Sequence, residues 1–273
     1  MGFYDQLKCG WAASGSMLCV GLDPDPAQMP TALDASADPT WEFCRAIVDA
    51  TADLVCAFKP QIAFFASQRA EDQLERLCKY IREEYPDVAL ILDAKRGDIG
   101  STAEHYAREA FSRYGAHAVT VNPYLGGDSV LPYFALGGAV IALCRTSNPG
   151  SADLQSLDCG GEPLYVRVAR MVAGQWSERG ECGLVVGATY PDELAVVRGV
   201  VGELPILVPG VGTQGGDPAA AVRAGATPDG RGLIVSSSRS ILYASPGDDF
   251  AAAARIAAIE ARGALAPGAE PCR

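Results

Sequence analysis

The segment Leu90-Ile-Leu-Asp93-Ala-Lys95-Arg-Gly-Asp98-Ile-Gly-Ser-Thr102 carries three charges of alternating sign, Asp93, Lys95 and Asp98, directly after an apolar run. Side chains two apart on a strand share a face, so Asp93 and Lys95 are expected to project from one side, with Ala94 turned away. Carboxylates on either side of a lysine favour its ammonium form, a poor general base but a stable proton donor. Such a cluster suits a reaction in which an anion leaves and a carbanion-like centre is protonated. Alone, the same residues read as a solvated ion pair worth ~0–1 kcal/mol. What decides between the two is the company the segment keeps.

Lysine is scarce in this chain. Only Lys8, Lys59, Lys79 and Lys95 are present, and arginine supplies most of the positive charge. Arginine is effectively always protonated, so a site that needs a proton-transferring ammonium must use lysine. Lys59 and Lys95 both fall at the ends of predicted strands.

The elements that would position these residues alternate regularly. Strand-like apolar runs cover 17–23, 54–59, 88–95, 118–122, 139–144, 183–189, 205–209 and 233–236. Helical patterns cover 4–14, 39–51, 62–84, 101–115, 127–136, a stretch ending near 179, one opening at Pro191, and 248–262. Ser101-Thr-Ala-Glu104 has capping-box spacing, which starts a helix there and leaves Asp98 in the loop ahead of it. Eight doubly buried strands with helices between them predict an α/β fold, a (β/α)8 TIM barrel. One domain spans 1–273, with an extra N-terminal helix, a core of about 16–262 and a tail over 263–273. An open doubly wound sheet is the competitor, but no GxGxxG follows the first strand.

At 273 residues, 49% apolar and 20% charged, the chain has the composition of a globular enzyme. No apolar run approaches the ~20 residues that cross a bilayer, and the N-terminus lacks the regions of a signal peptide. The nine cysteines are scattered, odd in number and free of CxxC pairs, which predicts reduced thiols and a cytoplasmic protein. His105 and His117 alone give little material for a zinc site or a Ser–His triad, and His105 reads as a helix-face residue. A net charge of −11 argues against nucleic acid and anionic membrane as partners.

Barrel chemistry gathers at the C-terminal ends of strands. Those ends offer Asp23, Lys59, Asp93 with Lys95, Asn122, Thr146 with Ser147, Thr189, Gln214 and Arg239. The glycine-rich turn from Gly210 to Gly216 and the Ser-Ser-Ser-Arg239 turn occupy the usual phosphate corner of such barrels, where backbone N–H groups and a guanidinium can meet an anion.

Asp93-x-Lys95-x-x-Asp98-Ile99, with Gly21-Leu-Asp23, Phe58-Lys59-Pro60 and Thr146-Ser147-Asn-Pro-Gly150, resembles the orotidine 5′-phosphate decarboxylase family. Pro209-Gly-Val-Gly-Thr-Gln214-Gly-Gly and Ser238-Arg239-Ser240-Ile241 extend the likeness, which runs from about 16 to 245. The longer loops at 24–39 and 150–162 resemble the larger bacterial branch.

The resemblance implies conversion of orotidine 5′-phosphate to UMP and carbon dioxide, the last step of de novo UMP synthesis, with no metal and no cofactor. By it, Lys95 protonates C6 of the pyrimidine, Asp93 lies beside the substrate carboxylate, and Lys59 and Asp98 complete the charge array. Asp23, Lys59 and Thr102 reach ribose hydroxyls, Ser147 binds the ring, and Gln214 and Arg239 hold the phosphate. Pro209 and Ser238 complete the substrate-binding set, with Ser238 standing where many relatives have glycine. Asp98 and Thr102 would enter the neighbouring subunit's site, implying a homodimer. Two other classes stay open: a magnesium-dependent phosphosugar decarboxylase or aldolase on the same barrel, and a non-catalytic phosphate-binding barrel.

Overall fold

Eight parallel strands close on themselves in chain order in the computed structural model, which describes residues 1–211 and 215–266. They are β1 Leu18–Leu22, β2 Ala57–Pro60, β3 Ala89–Arg96, β4 Ala118–Val121, β5 Ala139–Arg145, β6 Cys182–Val186, β7 Ile206–Pro209 and β8 Leu233–Ser237. Closure is made by β8 against β1, in the register Leu18↔Val235 and Cys19↔Ser236. Every residue of β1, β2, β4, β6 and β8 is buried, as expected where helices cover one face and the barrel interior the other. The open doubly wound alternative is excluded by this closure.

The outer layer comprises α2 Pro39–Thr51, α3 Ile62–Ala66, α4 Glu71–Glu84, α5 Gly100–Arg108, α6 Leu131–Ala135, α7 Ala152–Gln155, α8 Leu164–Met171, α9 Pro191–Val201, α10 Pro218–Gly225, α11 Arg239–Leu242 and α12 Phe250–Ala264. In α4 the buried side chains Leu74, Leu77, Cys78 and Ile81 recur at helical spacing and form one apolar stripe. The expected N-terminal helix is present as α1, Phe3–Ser14. It buries Phe3, Leu7 and Trp11 across the N-terminal mouth, where Trp11 Nε1 donates to the Leu233 carbonyl at 3.0 Å and Gln6 Nε2 to the Pro86 carbonyl at 2.7 Å.

Several boundaries differ from expectation. The single helix over 62–84 is broken, because Ala70 N–H and Gln68 N–H both turn back to the Phe65 carbonyl and Arg69 takes a left-handed φ of +56°. The break has a use: Gln68 Nε2 reaches the Pro24 carbonyl at 2.7 Å and ties down the loop after β1. The capping box does not form. Helix α5 starts at Gly100, its first turn closed by Ala103 N–H on the Ile99 carbonyl, and Glu104 pairs with Arg108 at 3.3 Å instead of reaching back. Asp98 still precedes the helix, with Oδ1 accepting from Ile99 N–H at 2.8 Å.

Candidate active site

The C-terminal ends of the strands surround a cavity of about 440 Å³. Asp23, Lys59, Asp93 and Lys95 line one part of it, Ser147 another, and Pro209, Ser238 and Arg239 a third. Thus the first three strands supply charge, β5 a hydroxyl, and β7 and β8 the corner read from sequence as phosphate-binding.

At the centre of the charge array is Asp93, only 7% exposed. Its Oδ2 accepts from Lys59 Nζ at 2.8 Å, and its Oδ1 from Lys95 Nζ at 2.6 Å. Burial would push this carboxyl up, but the ammonium groups of Lys59 and Lys95 outweigh it and hold Asp93 well below the usual carboxylate range. Lys59 shows the reverse balance. Burial would lower its ammonium, yet Asp93 and Asp23 prevail and raise it. Both groups are therefore charged across the physiological range. The Lys95 side chain is 47% exposed, so the array runs from a buried pair outward to an ammonium that solvent reaches.

Asp93 and Lys95 share a side, as the spacing required, but the backbone gets them there by another route. The β3–β4 register jumps from Leu92↔Val119 to Arg96↔Val121, so three β3 residues bulge opposite Thr120 alone. Lys95 has a left-handed φ of +47°, a conformation that costs a non-glycine residue ~1–2 kcal/mol. Thr120 Oγ1 holds the bulge: it accepts from Ala94 N–H at 3.0 Å and Lys95 N–H at 2.9 Å, and donates to Asp93 Oδ1 at 2.8 Å. Nothing in the local sequence singles out this threonine, whose type is common in strands.

Asp23 leaves β1 beside the array. Its carbonyl accepts from Tyr243 Oη at 2.7 Å, and the same hydroxyl accepts from Asp25 N–H at 2.7 Å, pinning the strand exit. Asp23 Oδ1 is buried without a hydrogen-bond partner among the described residues, so a polar group entering the cavity is needed to satisfy it. At Gly21, two residues earlier, a Cβ would sit 1.9 Å from Ser238 Oγ and 3.1 Å from its Cβ, so Ser238 would have to turn away from β1. The missing Cβ lets β1 approach the Ser238–Arg239 turn.

In the corner made by β7 and β8, Gly210 has a φ of +94°, open to glycine alone at no cost, and turns the chain toward the cavity. Gln214, expected to bind phosphate, lies outside the described residues. Ser147 stands on a loop that its neighbours brace. Thr146 N–H donates to Gln155 Oε1 at 2.8 Å, Gln155 Nε2 donates to Thr146 Oγ1 at 2.9 Å, and buried Arg145 donates to Glu193 Oε2 at 2.8 Å and to Ser151 Oγ. Gln155 and Asn148 also line the cavity, as do the apolar Leu143, Val185 and Leu207. None of these five was singled out from sequence, since polar loop residues and strand aliphatics carry no local signal of which cavity they face.

Four residues named from sequence lie outside this cavity. Asp98 and Thr102 are not among the residues lining this cavity; they lie in the loop before α5 and in its first turn. Asn122, just after β4, and Thr189, three residues beyond β6, do not line it either. His105 is exposed on α5, as a helix-face residue should be. Among the described residues, no group of three His, Cys, Asp or Glu side chains is arranged to hold a metal ion.

Residues 16–256 match the model of the family described as orotidine 5′-phosphate decarboxylase / HUMPS. The chain is 62% identical over 266 residues to the orotidine 5′-phosphate decarboxylase of Azoarcus sp. (strain BH72), covering 97% of this chain and 98% of that one. It is 61% identical over 263 residues to the same-named protein of Ralstonia pickettii (strain 12J), covering 96% and 97%. The solved OMP decarboxylase of Leishmania donovani is similar with a TM-score of 0.82 and 38% identity, covering 97% of this chain and 99% of that one.

Proposed function

The chain belongs to the orotidine 5′-phosphate decarboxylase / HUMPS family, and on that premise we propose that it converts orotidine 5′-phosphate to UMP and carbon dioxide, the last step of de novo UMP synthesis, without metal or cofactor. The observation that carries this reading is the Lys59–Asp93–Lys95 array at the wall of the cavity.

In the reaction, the bond from C6 to the carboxylate breaks and its electron pair stays on C6. Carbon dioxide leaves, and Lys95 Nζ delivers its proton to C6. The ammonium already faces that carbon while the charge develops, so its main contribution is electrostatic, from a group that needs no reorganisation. Its exposure on the outer side lets solvent return the proton. Asp93 aims Lys95 and sets negative charge beside the leaving carboxylate. Leu143, Val185 and Leu207 offer carbon dioxide an apolar surface. Asp23 and Lys59 take the ribose hydroxyls, Ser147 the ring, and Pro209, Gln214, Ser238 and Arg239 the phosphate. Binding energy gained at the phosphate, far from C6, orders the site for chemistry.

Asp98 and Thr102 act in the neighbouring subunit of a homodimer. Two features support this: their position outside the cavity, and the exposed Ile99, Leu131 and Leu136 around them (55%, 46% and 46% exposed), an apolar surface suited to a second copy. The chain forms one barrel domain with a core of about 16–262. The protein works in the cytoplasm, a placement supported by free cysteines at every described cysteine position.

A magnesium-dependent phosphosugar lyase would want an acid near the end of β2, where this chain has Lys59. Loss of orotidine 5′-phosphate absorbance, followed with and without EDTA and beside Lys95→Ala, tests the reading. Full activity in EDTA and its collapse in Lys95→Ala are expected. An inactive wild type, or a fully active Lys95→Ala, refutes it.

A further inference from the structure

We propose that Thr120 is a positioning residue for this reaction, its hydroxyl holding the β3 bulge in the one shape that aims Lys95 at the reacting carbon. The proposal rests on the decarboxylation reading for its kinetic consequences, though not for its geometry.

A hydroxyl has one hydrogen to donate and two lone pairs to accept with. In Thr120 all three are used, and all on the segment 93–95: the hydrogen goes to Asp93 Oδ1 at 2.8 Å, and the lone pairs face Ala94 N–H at 3.0 Å and Lys95 N–H at 2.9 Å. No bond of this group serves the core around it. Its strand reads Ala118-Val-Thr-Val121, so Thr120 is the single polar residue in β4 and is 1% exposed. A buried hydroxyl is unfavourable unless bonded, and valine, of the same shape, suits a barrel strand at least as well. The barrel therefore gives no reason for threonine here, whereas the site does.

Without the hydroxyl, two adjacent N–H groups of the bulge lose their acceptor and Lys95 loses what holds it at a positive φ. The bulge then relaxes toward an ordinary strand, and Nζ moves relative to C6. The phosphate corner and the Ser147 loop are carried by other strands and stay in place. The loss accordingly falls on the chemical step and spares binding.

Three variants test this: Thr120→Val removes the hydroxyl, Thr120→Ala does so if the valine variant does not fold, and Thr120→Ser restores it. Steady-state kinetics with orotidine 5′-phosphate, UMP affinity by calorimetry, and a crystal structure of the hydroxyl-free variant are the readouts. A displacement of Lys95 of the order of 1 Å predicts a fall in kcat of about 10²-fold, with KM and UMP affinity within about threefold of wild type. Thr120→Ser is expected to keep kcat within about threefold, and Lys95 is expected to leave the left-handed region in the hydroxyl-free structure. The proposal is overturned if kcat survives loss of the hydroxyl, if serine falls as far as valine, or if KM rises while kcat holds. Should the wild type not decarboxylate, the reaction reading fails by itself. The crystal structure still decides the geometry: Lys95 retaining its φ without the hydroxyl overturns the role.

Discussion

Asp93→Asn changes no shape and removes one charge, and the structure says which part of the molecule must register it. Lys59 is 5% exposed, and its ammonium lies 2.8 Å from the Asp93 carboxylate. At an effective dielectric of about 20 that pair attracts by ~6 kcal/mol, most of it offset by the desolvation of both groups. Lys95 lies nearer, at 2.6 Å, but its side chain is 47% exposed, so screening reduces its share to ~0–1 kcal/mol. The buried pair dominates. Removing one member leaves a buried ammonium with Asp23 as its remaining carboxylate neighbour among the described residues, which destabilises by ~3–5 kcal/mol.

The sign of the pH dependence follows. In the wild type, Asp93 and Asp23 overcome burial and raise Lys59 above its ordinary value of 10.5. In Asp93→Asn burial prevails and Lys59 falls below that value. The unfolded chain then binds more protons than the folded one in the interval below 10.5, so stability of the variant rises with pH there and its deficit narrows. Urea unfolding followed by tryptophan fluorescence at pH 7 and pH 9.5 measures both effects. A variant within ~1 kcal/mol of wild type at pH 7, against the ~3–5 kcal/mol expected for a broken buried pair, would refute the reasoning, as would a deficit that does not change with pH.

Two further outcomes are expected. Mixed Asp98→Ala and Lys95→Ala proteins, each inactive alone, recover partial activity through hybrid sites in which each subunit supplies what the other lacks; no recovery in a demonstrated mixed dimer rules out sharing. His117 is buried, accepts from Leu90 N–H at 2.9 Å and touches Arg82. Burial first, then Arg82, push it down from 6.5 to about 3, so its contribution to stability is complete above pH 6.5 and is lost as pH falls toward 3. Stability is expected to decline from His117 below pH 6.5, steepening to ~1.4 kcal/mol per pH unit near pH 5, a slope that His117→Asn should remove.

Asp23, Lys59, Asp93 and Arg239 were legible in the sequence because each follows an apolar run, and a closed barrel turns the ends of such runs into one rim. Asn122 and Thr189 satisfy the same rule and miss the cavity, since the rule fixes the rim and not the course of the chain after it. Thr120 was illegible for a different reason: its partners lie 25 to 27 residues away, and its own neighbours are ordinary strand residues. The break at Arg69 has no glycine or proline to announce it. The contact it serves, from Gln68 to Pro24, spans 44 residues. Local pattern carries elements and their order, whereas bulges and braces come from tertiary contacts.

The closure of β8 on β1 has a consequence for synthesis of the chain. Leu18 and Cys19 pair with Val235 and Ser236, and Trp11 bonds to Leu233, 222 residues away. β8 ends at Ser237, so the ring cannot shut until the chain has been made past that residue. Until then β1 and β7 each present an unpaired edge, the kind of surface that recruits other strands. Such long-range pairing is slow to form, and incomplete intermediates of this size aggregate. Chains released early, before residue 233, are therefore the form of this protein most in need of a chaperone.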